Sequence, residues 1–82
     1  MEKKSFWIVT KVEIGRITLS VNTYALRWFD SLDEAKSFIE NECNRLCTLG
    51  YENSKFTHSD MGWTYKDDFE ILQVMISLAL GV

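Results

Sequence analysis

Along residues 6–14, "FWIVTKVEI", side chains of like character recur at every second position. Phe6, Ile8, Val12 and Ile14 share one face, and Trp7, Val9, Lys11 and Glu13 share the other. A period of two in aromatic and β-branched residues predicts a strand. Gly15 supplies a turn, so "RITLSV" is predicted to return as the second arm of a hairpin. On that arm Ile17, Leu19 and Val21 share a face, after which the large residues move to even positions at Tyr24, Leu26 and Trp28. A slip of one position predicts a β-bulge; the alternative is a turn at Asn22–Thr23 that opens a third strand.

The period then changes. In "FDSLDEAKSFIENECNRLCTLGY", Leu32, Ala35, Ile39, Cys43 and Leu46 recur at three- and four-residue intervals, while Asp33, Glu34, Ser37, Asn41, Asn44, Arg45 and Thr48 take the opposite side. This is an amphipathic helix. Ser31 and Glu34 stand in capping-box spacing, and Asp33 and Glu34 suit the positive end of the helix dipole. Gly50 is placed to end the helix in a left-handed conformation.

"ENSKFTHSDMGWTYKDD" reads as a hairpin, "KFTH" to "WTY", around a turn at Ser59–Gly62. Residues 69–80, "FEILQVMISLAL", admit two readings. As a helix the segment would be capped by Asp67 and Glu70 and stop at Gly81. As a strand it sets Leu72, Val74, Ile76 and Leu78 on one face. Its β-branched content and the preceding Asp67–Asp68 turn favour the strand.

The predicted fold class is therefore α+β, with residues 1–82 as a single domain. It is a small antiparallel β-sheet of four to five strands with one amphipathic helix packed on one face, in the order ββαβββ or ββαββ. One helix covers one side of such a sheet. Trp7 and Val9 are expected on the helix-free side, and an uncovered apolar face on a small domain marks a contact surface.

Composition sharpens this picture. The chain has 82 residues, 46% hydrophobic, with three Trp, five Phe and three Tyr. That is enough to fold, yet a chain of this size buries only about 60–65% of the surface it exposes when unfolded, which makes association through an apolar face favourable. The net charge of −3 argues against a nucleic-acid backbone as the main partner. The apolar run at residues 6–9 is broken by Lys11 and Glu13 with no small-residue cleavage site after it, and "ILQVMISLAL" is too short to span a bilayer. The expected location is cytoplasmic, with no membrane partner.

Candidate chemistry is sparse. Cys43 and Cys47 are one helical turn apart, too far for an unstrained disulfide and in the wrong spacing for a C-x-x-C redox pair. With His58 and Asp60 they make four candidate zinc ligands, but Cys43 falls inside the apolar stripe, so the expectation is a core cysteine and no bound metal. His58 is the sole histidine, and no Gly-x-Ser-x-Gly turn accompanies it. The four scattered glycines form no phosphate-binding loop. No cofactor and no catalytic activity are expected.

The strand–strand–helix order and the helix start "F-x-S-x-x-E-A" (Phe29, Ser31, Glu34, Ala35) resemble the arm-binding domains of phage integrases over residues 6–42. That resemblance implies DNA contact through basic strands. Here those strands carry only Lys11, Arg16 and Arg27, so the expectation favours protein over nucleic acid. The leading expectation is a non-enzymatic protein–protein interaction module, a regulator or inhibitor of the kind found in phages and other mobile elements, homodimeric through its open sheet face. Trp7, Val9, Met61, Trp63 and Tyr65 are the expected partner-binding residues, because aromatic residues and methionine are enriched at interface hot spots. The alternative is a nucleic-acid-associated accessory protein using Lys11, Arg16 and Arg27.

Overall fold

The computed structural model describes residues 5–80, so the Gly81 stop of the helical alternative lies outside the described residues. Two long strands, β1 (Ser5–Gly15) and β2 (Val21–Phe29), lead into helix α1 (Leu32–Thr48). A short 3-10 turn precedes three further strands, β3 (Phe56–Ser59), β4 (Gly62–Lys66) and β5 (Glu70–Leu80). All neighbours are antiparallel in the spatial order β2-β1-β5-β4-β3. The fold is the expected α+β arrangement in the order ββαβββ, with residues 70–80 a strand.

Local chemistry sets the helix ends. Ser31 stays extended and its Oγ accepts the Glu34 N–H at 3.4 Å. At the other end the Tyr51 N–H donates to the Leu46 carbonyl at 3.1 Å and the Gly50 N–H to the Cys47 carbonyl at 3.2 Å. This is a Schellman closure, which requires the left-handed φ of 104° that Gly50 adopts.

The return arm of the first hairpin is shorter than its sequence pattern predicts. Residues Arg16–Ser20 form the loop, closed by the Gly15 N–H on the Ser20 carbonyl at 2.8 Å. Ile17 and Leu19 are therefore exposed loop residues rather than strand residues. The bulge exists, but it lies further along. Register steps from Val9↔Arg27 to Thr10↔Ala25, leaving Leu26 as the extra residue. That insertion puts Val21, Thr23 and Ala25 on the same side as Trp28, and Asn22 and Tyr24 on the side of Arg27 and Phe29.

The helix lies on the odd-numbered side of β1, which reverses the expected sidedness of Trp7 and Val9. Ala35, Ile39, Cys43 and Leu46 of α1 pack on Val9, Leu72, Val74, Ile76, Trp63, Tyr65 and Phe56, and Trp7 and Phe29 close the near end of this core. The Trp63 Nε1–H donates to the Ile39 carbonyl at 2.7 Å and ties sheet to helix. Val9 is fully buried against α1 and Trp7 packs on the same core. The two charged residues of this face satisfy each other: Lys11 and Glu13 pair at 3.9 Å, beside the buried Val74 and Leu72 of β5.

Candidate functional site

The side of the sheet opposite α1 has no covering element among the described residues. On β1 it carries Phe6, Ile8, Thr10, Val12 and Ile14. On β2 it carries Val21, Thr23, Ala25 and Trp28, and on β5 Ile71, Gln73, Met75, Ser77 and Ala79. β4 and β3 extend it with Thr64, Lys66, Thr57 and Ser59. Phe6 and Trp28 meet edge to face at 5.6 Å. Near the centre Met75 lies between Thr10 and Gly62 on the flanking strands. Gly62 has no room for a side chain, because a Cβ there would lie 2.2 Å from the Val74 carbonyl oxygen.

Charge is distributed the wrong way round for a sheet with one wet face. Antiparallel sheets that face water on one side ordinarily put polar and charged residues there. Here the charged residues of the three long strands, Lys11, Glu13, Arg27 and Glu70, all project to the helix side. Among the described residues the open face is apolar or neutral across β1, β2 and β5, and its one charge is Lys66 at the end of β4. Trp28 is 58% exposed and Met75 42% exposed on it.

The five residues expected to bind a partner do not form this face. Val9, Trp63 and Tyr65 are 0%, 3% and 4% exposed, and Trp7 and Met61 pack against the same core. Trp63 and Tyr65 are held there by shape and polarity together. Phe56 contacts both rings, at 5.2 Å and 5.0 Å, and each polar tip finds an acceptor. The residues that form the open face, Ile8, Trp28 and Met75 among them, went unselected by sequence reasoning. Their signal was the lack of any charge at even positions of β1 and odd positions of β5.

The three cations of the nucleic-acid alternative do not form a track. Lys11 pairs with Glu13, and Arg27 lies over the Phe29 ring at 5.3 Å from its centroid. Arg16 is at the loop end, where its guanidinium donates to the Asp67 carbonyl at 2.7 Å. Asp67 organises that loop. Its carboxylate accepts from the Tyr65 hydroxyl and from the Phe69 and Glu70 N–H groups, each at 2.8 Å. The Tyr65 hydroxyl holds the Asp67 carboxyl below its ordinary range, with the Glu70 and Phe69 N–H groups adding to the effect. Burial first, and this carboxylate second, push Tyr65 up to about 12.

Cys43 is buried and Cys47 half-buried, and both are free thiols. Burial and the neighbouring Cys47 push Cys43 up to about 11, which keeps it a protonated thiol at neutral pH. A groove of about 320 Å³ between α1 and the β3–β4 hairpin is lined by Cys43, His58, Asp60, Glu40 and Trp63. Among the described residues no three His, Cys, Asp or Glu side chains come close enough together to hold a metal ion. No described helix is long and apolar enough to cross a membrane. Comparison with protein-family models, with curated protein sequences and with solved structures gives no match to this chain.

Proposed function

We propose that this chain is a non-enzymatic protein–protein interaction module of the cytoplasm, a regulator or inhibitor that works by laying its helix-free sheet face against a protein surface. One observation carries the reading. A 14-residue face of three long strands is free of charge, while the charged residues of those same strands sit on the side that the helix already partly covers. A face built for water would gain solubility from charge at no cost to the core. An uncharged apolar face of this extent is kept where burial against protein stabilises the assembly.

The test is capture from a host lysate with three baits: the wild-type chain, a Trp28→Glu/Met75→Glu double variant, and a Ser37→Glu control on the exposed side of α1. Circular dichroism establishes that all three are folded. Proteins captured by the wild type and the control are expected to be lost with the double variant. Undiminished capture by the double variant would remove this face from the reading. A titration with duplex and single-stranded nucleic acid at low salt completes the test, and tight, salt-sensitive binding there would favour the alternative instead.

A further inference from the structure

We infer that the protein surface this face meets is the same face of a second copy, giving a two-fold symmetric dimer with four layers, helix–sheet–sheet–helix. The inference rests on the interaction reading above and commits that reading to one occupant.

Three observations support a second copy. The first is charge. A partner of opposite charge would call for a charged face here, and the three long strands offer none. In a two-fold interface each patch meets its own image, so any charge on it risks facing its like. A neutral face is the self-compatible solution, and Lys66, the exception, lies on the short strand β4 away from the centre.

The second is shape. Two sheets pack well when their twists match, at a strand angle of about 30° and a spacing of about 10 Å. Identical sheets have identical twist. The molecule is thin along one axis, with extents of 49 × 25 × 18 Å, so one sheet and one helix account for its depth. Doubling it places each sheet between a helix and another sheet, and the side opposite α1 is then covered in both copies.

The third is area. Three strands at about 4.8 Å spacing and about ten residues at 3.3 Å each give roughly 14 × 33 Å, and the β3–β4 hairpin adds about 10 × 15 Å. The flat projection is about 600 Å² per copy, and side-chain relief raises the accessible area above that. The pair therefore buries on the order of 1,200–1,600 Å², within the range of stable specific interfaces and above the ~800 Å² of incidental contacts.

Sedimentation equilibrium of the full chain tests this, from about 1 to 100 μM. The wild type is expected to sediment as a dimer. Met75→Glu, at the centre of the face, and Thr10→Glu, on the adjacent strand, are each expected to weaken dimerisation by about a hundredfold or more, because each leaves an unpaired charge in every copy's interface. Ser37→Glu is expected to change nothing. Circular dichroism and melting of the variants at low concentration separate loss of the dimer from loss of the fold. A wild-type monomer at the highest concentration overturns the inference, and so does a dimer that survives both face variants, which would place the contact at the free edge of β2 or β3. The two readings fail separately. If the wild type is monomeric but the face variants still lose a captured host protein, the interaction face stands and the second copy falls. If capture is also unaffected, both fall.

Discussion

Replacing Trp63 with phenylalanine tests the core and the sidedness of the sheet together. The indole is 3% exposed, packs edge to face on Phe56 at 5.2 Å, and donates to the Ile39 carbonyl at 2.7 Å. Phenylalanine keeps a six-membered ring but removes the pyrrole part. That forfeits about two buried carbons at ~0.8 kcal/mol each, or roughly 1.5 kcal/mol. The lost hydrogen bond costs about 1 kcal/mol and no more, because the Ile39 carbonyl lies inside α1 and keeps its intrahelical donor. The sum is about 2–3 kcal/mol, equivalent to a fall in Tm of roughly 10–20 °C for a domain of this length. Urea denaturation followed by circular dichroism measures it at a concentration low enough to keep the chain monomeric. Trp28→Phe is the matched control. Trp28 is 58% exposed, so the same chemical change there is expected to cost under about 0.5 kcal/mol. Equal costs at the two positions, or a larger one at Trp28, would refute the placement of the helix.

Further outcomes follow from the loop, the thiols and the helix end. Asp67 has a lowered carboxyl pKa in the folded chain, so its contribution to stability is full above the unfolded value of about 4 and is lost as pH falls through the lower native value. The urea-midpoint difference between the wild type and Asp67→Asn should therefore shrink from pH 5 towards pH 2, and a pH-independent difference would contradict the Tyr65 and backbone contacts. With a chromogenic disulfide at pH 8, Cys47 should react first and Cys43, buried with its pKa at about 11, only as the chain opens; two equally fast thiols would contradict the helix phase. Gly50→Ala should destabilise by about 1 kcal/mol in thermal denaturation, from backbone conformation alone, since nothing lies within 4 Å of the added Cβ.

The helix was legible because its local signals had one reading. Ser31, the Leu32–Leu46 stripe and Gly50 are a start, a body and a stop for a single helix, and α1 occupies that span. The turn at Ser59–Gly62 marked the β3–β4 hairpin, and β-branched content with the Asp67–Asp68 turn favoured strand over helix for residues 69–80, of which Glu70–Leu80 form β5. The first loop was less legible, because Ile17, Leu19 and Val21 continue a strand-like alternation through residues that turn. Alternation alone does not distinguish a strand from a loop in which every second residue is apolar.

The candidate face was not legible, for a reason that bears on function. On β1 the even face is wholly apolar or neutral and the odd face mixed, so burial economy assigns the even face to the helix. For a monomer in water that assignment is sound, since it hides Phe6, Ile8, Val12 and Ile14 and leaves Lys11 and Glu13 wet. The structure satisfies Lys11 and Glu13 differently, by pairing them with each other on the helix side, and leaves the cleaner apolar face outside. Both β1 faces thus carry large apolar residues, a pattern typical of strands covered on two sides. One layer of cover is supplied by α1. Under the dimer proposed above, a second identical sheet would cover the neutral side with no further sequence to specify it, and the placement of the charges on the helix side would agree with that cover.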